Sequence, residues 1–314
     1  MSNDNRRGSL IERAAEIYDF GAALRGRDGI APVVEGSRAP AEASFVSVEH
    51  KPIKVAARVA MASPVSRAPS GPVAMIDRQR LQENGFVVPE APVSTLAEEF
   101  RLVKRQLLLR AGSEGRPRTA KDRMILVCSA QPNEGKTFCA VNLALSLASE
   151  RDNEVLLVDA DVAKPGVLAT LGLEKAPGLI DAIAEPSLDV ERLIIATDIP
   201  KLSILPAGTA THNDTELLSS ARAAEIIAAL ATANERRIVI LDSAPALAAS
   251  PASVLAHRVG RVLMIVRADR TKESDLQEAI ALLDGCDDIS LLLNGASFFG
   301  TNRTYGSYYG SDQS

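Results

Sequence analysis

The stretch "RMILVCSAQPNEGKT", Arg123–Thr137, decides the fold. "RMILVCSA" is a short, nearly continuous apolar run of the kind that forms a buried strand. It leads directly into "AQPNEGKT" (Ala130–Thr137), and a helical run follows over Thr137–Glu150. Strand, glycine-bearing turn and helix in this order are the context a P-loop requires. Ala130, Gln131, Pro132, Asn133, Glu134 and Gly135 are then expected to form a cradle in which backbone N–H groups and the helix N-terminus face phosphate oxygens. Lys136 would reach the β- and γ-phosphates, and Thr137 would hold Mg²⁺. Ala130 replaces the usual first glycine. Asn133 occupies a position where a positive φ is expected, and Asn tolerates one.

Downstream, the pattern repeats. "EVLLVDAD", "KLSILPAG", "RIVILDSA", "RVLMIVRA" and "ISLLLNGA" read as further buried strands, with helical runs over Thr215–Ala233 and Lys272–Asp284. Such alternation predicts an α/β fold, a mostly parallel sheet with helices on both faces. With the P-loop it becomes a P-loop NTPase, and the resemblance described below implies the deviant-Walker, partition-ATPase-like kind. Ligands in such sheets bind beyond the C-terminal strand ends. Asp159 and Asp161 stand there, two residues apart and so on one face of a strand. Asp242 ends another strand, as a Walker-B-type Mg²⁺ ligand does. A lone Asp closing a strand is usually a cap or turn former. Three beside a P-loop predict a site for ATP and Mg²⁺.

On the N-terminal side, "STLAEEFRLVKRQLLLR" places Leu96, Phe100, Val103 and Leu107 in one helical stripe behind a capping Ser94. Order is expected to resume near Ile76. From roughly 25 the chain is rich in Ala, Pro, Ser, Gly and Arg without periodicity, a composition that cannot offset its ordering entropy. Residues 9–24 carry Ser9-x-x-Glu12 and a helical face of Leu10, Ala14 and Ile17; they form either a solvated helix or a docking helix. The expected organisation is a helix over 1–24, a largely disordered linker over 25–93, a P-loop domain over 94–297 and a tail over 298–314.

With 46% hydrophobic residues among 314, the chain can bury a sizeable core. A net charge of -5 argues against a nucleic-acid binder. Cys128, Cys139 and Cys286 form no CxxC pair, so neither a disulfide framework nor a zinc site is expected. The first ten residues have no apolar core of a secretory signal, and no uncharged apolar run approaches the length of a membrane span. A cytoplasmic protein is expected.

The P-loop, the Asp-x-Asp strand end and the tyrosine-rich C-terminus together resemble the bacterial tyrosine autokinases (BY-kinases). The similarity is closest to the cytoplasmic autokinases that accompany exosortase/PEP-CTERM exopolysaccharide systems. "SLIERAAE", "EEFRLVKRQLL", "SAQPNEGKTF", "LLVDADVAKPGV" and "LPAGTATHNDTELLSS" carry it, covering roughly 94–314 and the short N-terminal helix. The resemblance implies that Lys136 and Thr137 are the Walker A pair, Asp159 and Asp161 the Walker A′ pair, and Asp242 the Walker B acid, with Asn294 near the adenine. It also implies that Glu98, Arg101 and Lys104 assemble a homo-oligomeric ring. A membrane polysaccharide co-polymerase would activate the kinase, holding it peripherally at the inner membrane. Lys104 stands for the second Arg of the ring motif, Ala163 for a commonly basic residue, and "DSAP" for "DTPP".

Tyr305, Tyr308 and Tyr309 are three of the chain's four tyrosines and lie on a Gly/Ser-rich segment unable to pack them. The resemblance makes them phosphoacceptors, with Asp159 accepting the phenol proton and Lys136 and Mg²⁺ neutralising the transferred group. Two rivals stay open. One is a partition or positioning switch ATPase, which would carry a signature lysine where Gln131 stands. The other is an ATP-binding co-activator without transfer activity.

Overall fold

The computed structural model describes residues 73–110 and 119–296. The expected N-terminal helix, most of the linker, and the tail with Tyr305, Tyr308 and Tyr309 lie outside the described residues. Along the chain the elements are α1 (Arg78–Glu83), α2 (Thr95–Arg110), β1 (Met124–Ser129), α3 (Lys136–Ala148), β2 (Glu154–Ala160), α4 (Val167–Leu171), α5 (Leu179–Ala184), β3 (Ile195–Ala196) and β4 (Leu202–Leu205). They continue with α6 (Asp214–Ser219), α7 (Ala221–Thr232), β5 (Arg237–Ser243), α8 (Pro251–Ala256), β6 (Arg261–Arg267), α9 (Glu273–Leu282) and β7 (Ile289–Asn294).

The strands form one sheet in the order β3-β4-β2-β5-β1-β6-β7. Every pairing is parallel except β3 with β4. Because successive strand residues point to opposite faces, the apolar runs feed two cores. Leu126, Leu156, Leu241 and Met264 enter one, covered by α5, α7 and α8. Val127, Leu157, Ile240 and Ile265 enter the other, covered by α3 and by apolar residues of α1, α2 and α4. Strands buried on both faces cannot alternate apolar with polar residues, which is why β1, β2, β5 and β6 read as continuous apolar runs. Each fully buried Leu or Val contributes about 1.5–3 kcal/mol.

The chain leaves β1 towards one side through α3 and, after β5, crosses to the other side through α8. β1 therefore ends where the winding changes direction, the usual place for a ligand crevice.

Three expectations change. Order resumes near Ile76 as expected, and the rest of 73–93, assigned above largely to the linker, packs on the fold. Ala74 bridges Thr197 in parallel fashion, Leu81 of α1 is fully buried, and Phe86 lies 4.7 Å from Phe138 between ring centroids. The buried Asn142 of α3 secures it, accepting from Val87 N at 2.7 Å and donating to Phe138 O at 3.0 Å. Its anchors, Ile76, Leu81 and Phe86, follow neither a helical nor a strand period, so periodicity does not reveal them. The single helix expected over Thr215–Ala233 is two, because Ser220 takes an extended backbone and caps α7 by accepting from Ala223 N. Finally, β7 is an edge strand, with Leu291 and Leu293 55% and 57% exposed.

Candidate functional site

The P-loop takes the shape its sequence suggests. Positive φ falls on Asn133 (64°) and Gly135 (96°), so Ala130 fills the first-glycine position without backbone strain. Ala130 is fully buried, and its carbonyl accepts from Leu247 N at 3.2 Å. Gly135 caps α3. A Cβ there would overlap Asn294 Nδ2, which donates to Glu134 O at 2.9 Å. Asn294 thus presses on the phosphate loop itself.

The three acids converge at neighbouring strand ends. Asp159 and Asp242 are register partners of β2 and β5, and Asp161 follows β2. All three are buried. Asp161 pairs with Lys136 at 2.8 Å. Asp159 accepts from Gly166 N and Val167 N, both at 3.0 Å, and from Asp161 N at 3.3 Å. Burial raises its pKa to about 6, the amides pull it down in part, and Asp161 adds repulsion. Burial raises Asp242 further, to about 8, with Thr137 opposing and Asp159 reinforcing the rise. The Thr137 hydroxyl is near but makes no well-formed hydrogen bond, and neither Asp242 oxygen has a partner.

A fully buried carboxylate with both oxygens unsatisfied is costly unless a cation or donor arrives. Together with Thr137, the acids fit a divalent cation by their oxygen chemistry. They do not close into a protein-only cage among the described residues. Mg²⁺ is usually held by one or two carboxylates plus phosphates and waters, so an open set is what it needs.

Glu134 behaves unlike a phosphate-loop group. It is 1% exposed and turned inward. It accepts from Gln131 N at 2.8 Å and from the Thr271 hydroxyl in the β6–α9 turn. The Gln131 side chain donates to Asp275 of α9 at 3.2 Å. Sequence reading missed Thr271 and Asp275, which lie more than 130 positions from the loop and carry no motif of their own. Beside Asp159 opens a cleft of about 480 Å³ lined by Val162, Pro165, Leu168, Leu173 and Pro206. A larger cavity of about 750 Å³ lies near the far end of α3 and touches none of the acids.

On α2, Glu98 and Arg101 pair with each other on the surface. Lys104 does not share that exposed face. It is buried, pairs with Glu150 at 2.6 Å and donates to Ser146 O at 3.2 Å. The partial negative charge at the C-terminal end of α3 favours a cation there.

Fold and site together define a P-loop NTPase-like α/β domain, and residues 123–269 match the family described as "AAA domain". Curated relatives narrow this. The putative tyrosine-protein kinase EpsB of Ralstonia solanacearum is 30% identical over 193 residues, 61% of this chain and 25% of that protein. The tyrosine-protein kinase YwqD of Bacillus subtilis is 28% identical over 234 residues, covering 74% of this chain and 93% of that one. The kinase domain of the Escherichia coli tyrosine kinase ETK shares the fold, with a TM-score of 0.56 and 21% identity over 73% of this chain and 92% of that one. The chain is a homologue of bacterial tyrosine-protein kinases. It spans about a quarter of the length of the Ralstonia relative. No helix among the described residues is long and apolar enough to cross a membrane.

Proposed function

We propose that the chain is an ATP-dependent protein-tyrosine autokinase that phosphorylates its own C-terminal tyrosines in trans within a ring and so regulates exopolysaccharide polymerisation or export. The observation carrying this reading is the convergence of Lys136, Asp159, Asp161 and the unsatisfied Asp242 at one end of a P-loop. The names of the homologues support it.

Thr137, Asp159, Asp161 and Asp242 are the residues that would hold Mg²⁺, which when bound supplies charge neutralisation at the transferred phosphoryl group. The loop amides and the α3 N-terminus orient the phosphates. Lys136 leaves Asp161 to reach them. Asp159 is positioned by two backbone N–H groups and is the proposed acceptor of the tyrosine hydroxyl's proton. The cleft beside it, with Val162, Leu168 and Leu173 among its walls and Lys175 and Thr209 also lining it, suits an entering phenol ring. Exposed Glu98 and Arg101 remain the ring contacts of this reading, with Lys104 supporting α2 from inside. A membrane polysaccharide co-polymerase is the proposed activator, contacted through residues 9–24, and Asn294 the proposed base-side neighbour.

The test is the intact mass of the full chain after incubation with Mg-ATP, beside Lys136→Met and a chain ending at Gly300. Steps of about 80 Da per phosphoryl group, absent from both variants and mapped to Tyr305, Tyr308 or Tyr309, are expected. ATP hydrolysis without any mass change, with or without the membrane partner, overturns the reading in favour of the switch ATPase.

A further inference from the structure

We propose that Glu134 is an internal brace of the P-loop rather than a phosphate ligand, and that Thr271, reaching it from the β6–α9 turn, is a positioning residue for nucleotide binding. The inference rests on the reading of the loop as a nucleotide site.

A carboxylate in a phosphate-binding loop needs an explanation, because it brings negative charge to a place built for anions. Here the side chain is 1% exposed and both its oxygens are engaged by protein donors. One oxygen accepts from Gln131 N at 2.8 Å, closing the loop on itself three residues back. That also removes one amide from the set available to phosphate. The other oxygen accepts from the Thr271 hydroxyl. Thr271 in turn accepts from Arg267 N at 2.8 Å, which fixes the hydroxyl to the end of β6. The Glu134 carbonyl accepts from Asn294 Nδ2 at the end of β7. Two segments 137 and 160 residues away in sequence thereby converge on this residue.

The consequence concerns preorganisation. The loop's N–H groups hold phosphate well only if their directions are set before the ligand arrives. Asn133 and Gly135 both sit at positive φ, so the loop is not held by ordinary backbone preference alone. The Glu134 carboxylate and the hydroxyl it receives supply the missing restraint from outside the loop. Movement of the β6–α9 turn is then felt at the phosphate end of the site.

The experiment is calorimetric titration of the full chain with Mg-ADP, comparing wild type with Thr271→Val, Thr271→Ser, Glu134→Gln and the Thr271→Val/Glu134→Gln double variant. Thr271→Val removes the hydroxyl at constant shape. We expect it to weaken Mg-ADP about tenfold and to lower the urea midpoint only modestly, and Thr271→Ser to bind as wild type. The double variant should lose less than the sum of the two single losses, since the Thr271–Glu134 contact is shared between them. Gln277→Ala, on the solvated side of α9, should change nothing. Equal affinity of Thr271→Val and wild type, or losses that add in the double variant, overturns the brace. The readout is ADP affinity, so the brace is judged whether or not phosphoryl transfer is observed. A wild-type chain that fails to bind Mg-ADP overturns both this inference and the function above.

Discussion

Asp242→Asn should make the metal- and nucleotide-free protein more stable while disabling it. Asp242 is fully buried with neither oxygen hydrogen-bonded, and burial lifts its pKa from 3.8 to about 8. Between those values the native state keeps a proton that the unfolded chain has released, so stability falls as pH rises across that window. At pH 7 the difference costs the native state on the order of 4 kcal/mol. An uncharged amide also dislikes burial without a partner, so the net gain expected is nearer 2 kcal/mol, or a Tm about 4–8 °C higher for a domain of this size. Thermal unfolding in EDTA from pH 5 to pH 8.5 measures it. Wild type should lose stability towards pH 8 and the variant should show a flatter profile. Adding Mg-ATP should restore the wild type and not the variant. Superimposable pH profiles in EDTA would refute the reasoning, because Asp242 would then not carry the burial cost assigned to it.

Leu81→Ala empties a fully buried site on α1 and should cost 2–5 kcal/mol in urea unfolding. A chain beginning at residue 94 should lose at least as much, and one as stable as wild type would return 73–93 to the linker. Lys104→Met leaves Glu150 and the Ser146 carbonyl without their cation and should cost about 1–3 kcal/mol. Arg101→Ala, which breaks a surface pair, should stay within about 0.5 kcal/mol, and any effect it has should appear in the mass measured by light scattering. Gly135→Ala forces a Cβ onto Asn294 at a φ of 96° and should abolish Mg-ADP binding.

The parts legible in the sequence were those whose cause is local. Apolar runs announced β1, β2, β5 and β6 because both their faces are covered, and "GKT" after such a run announced the loop. Asp159 and Asp242 were readable as strand-ending acids, since that position is itself a sequence pattern. What escaped depends on partners far along the chain. Leu81 and Phe86 look like any apolar residues in a polar stretch until α3 is placed beside them. Lys104, one turn from Arg101, looks like another surface charge until the C-terminal end of α3 appears beneath it. Glu134 reads as a loop residue, and Thr271 gives no sign that it faces one. Leu291 and Leu293 fit a buried strand by composition, and only the strand order shows that β7 is an edge among the described residues.

The sheet order also sets a timetable. β1 carries the phosphate loop but pairs with β5 and β6, which begin at Arg237 and Arg261. A nascent chain that has already displayed its loop must therefore be extended by more than a hundred residues before both neighbours of that strand exist. Long-range parallel pairing of this kind is slow and leaves apolar edges uncovered in the interval. Nucleotide cannot rescue the unfinished chain, because the site it needs is among the last things assembled. On the proposed reading, nucleotide binding therefore requires that β5 and β6 have been made and have paired with β1.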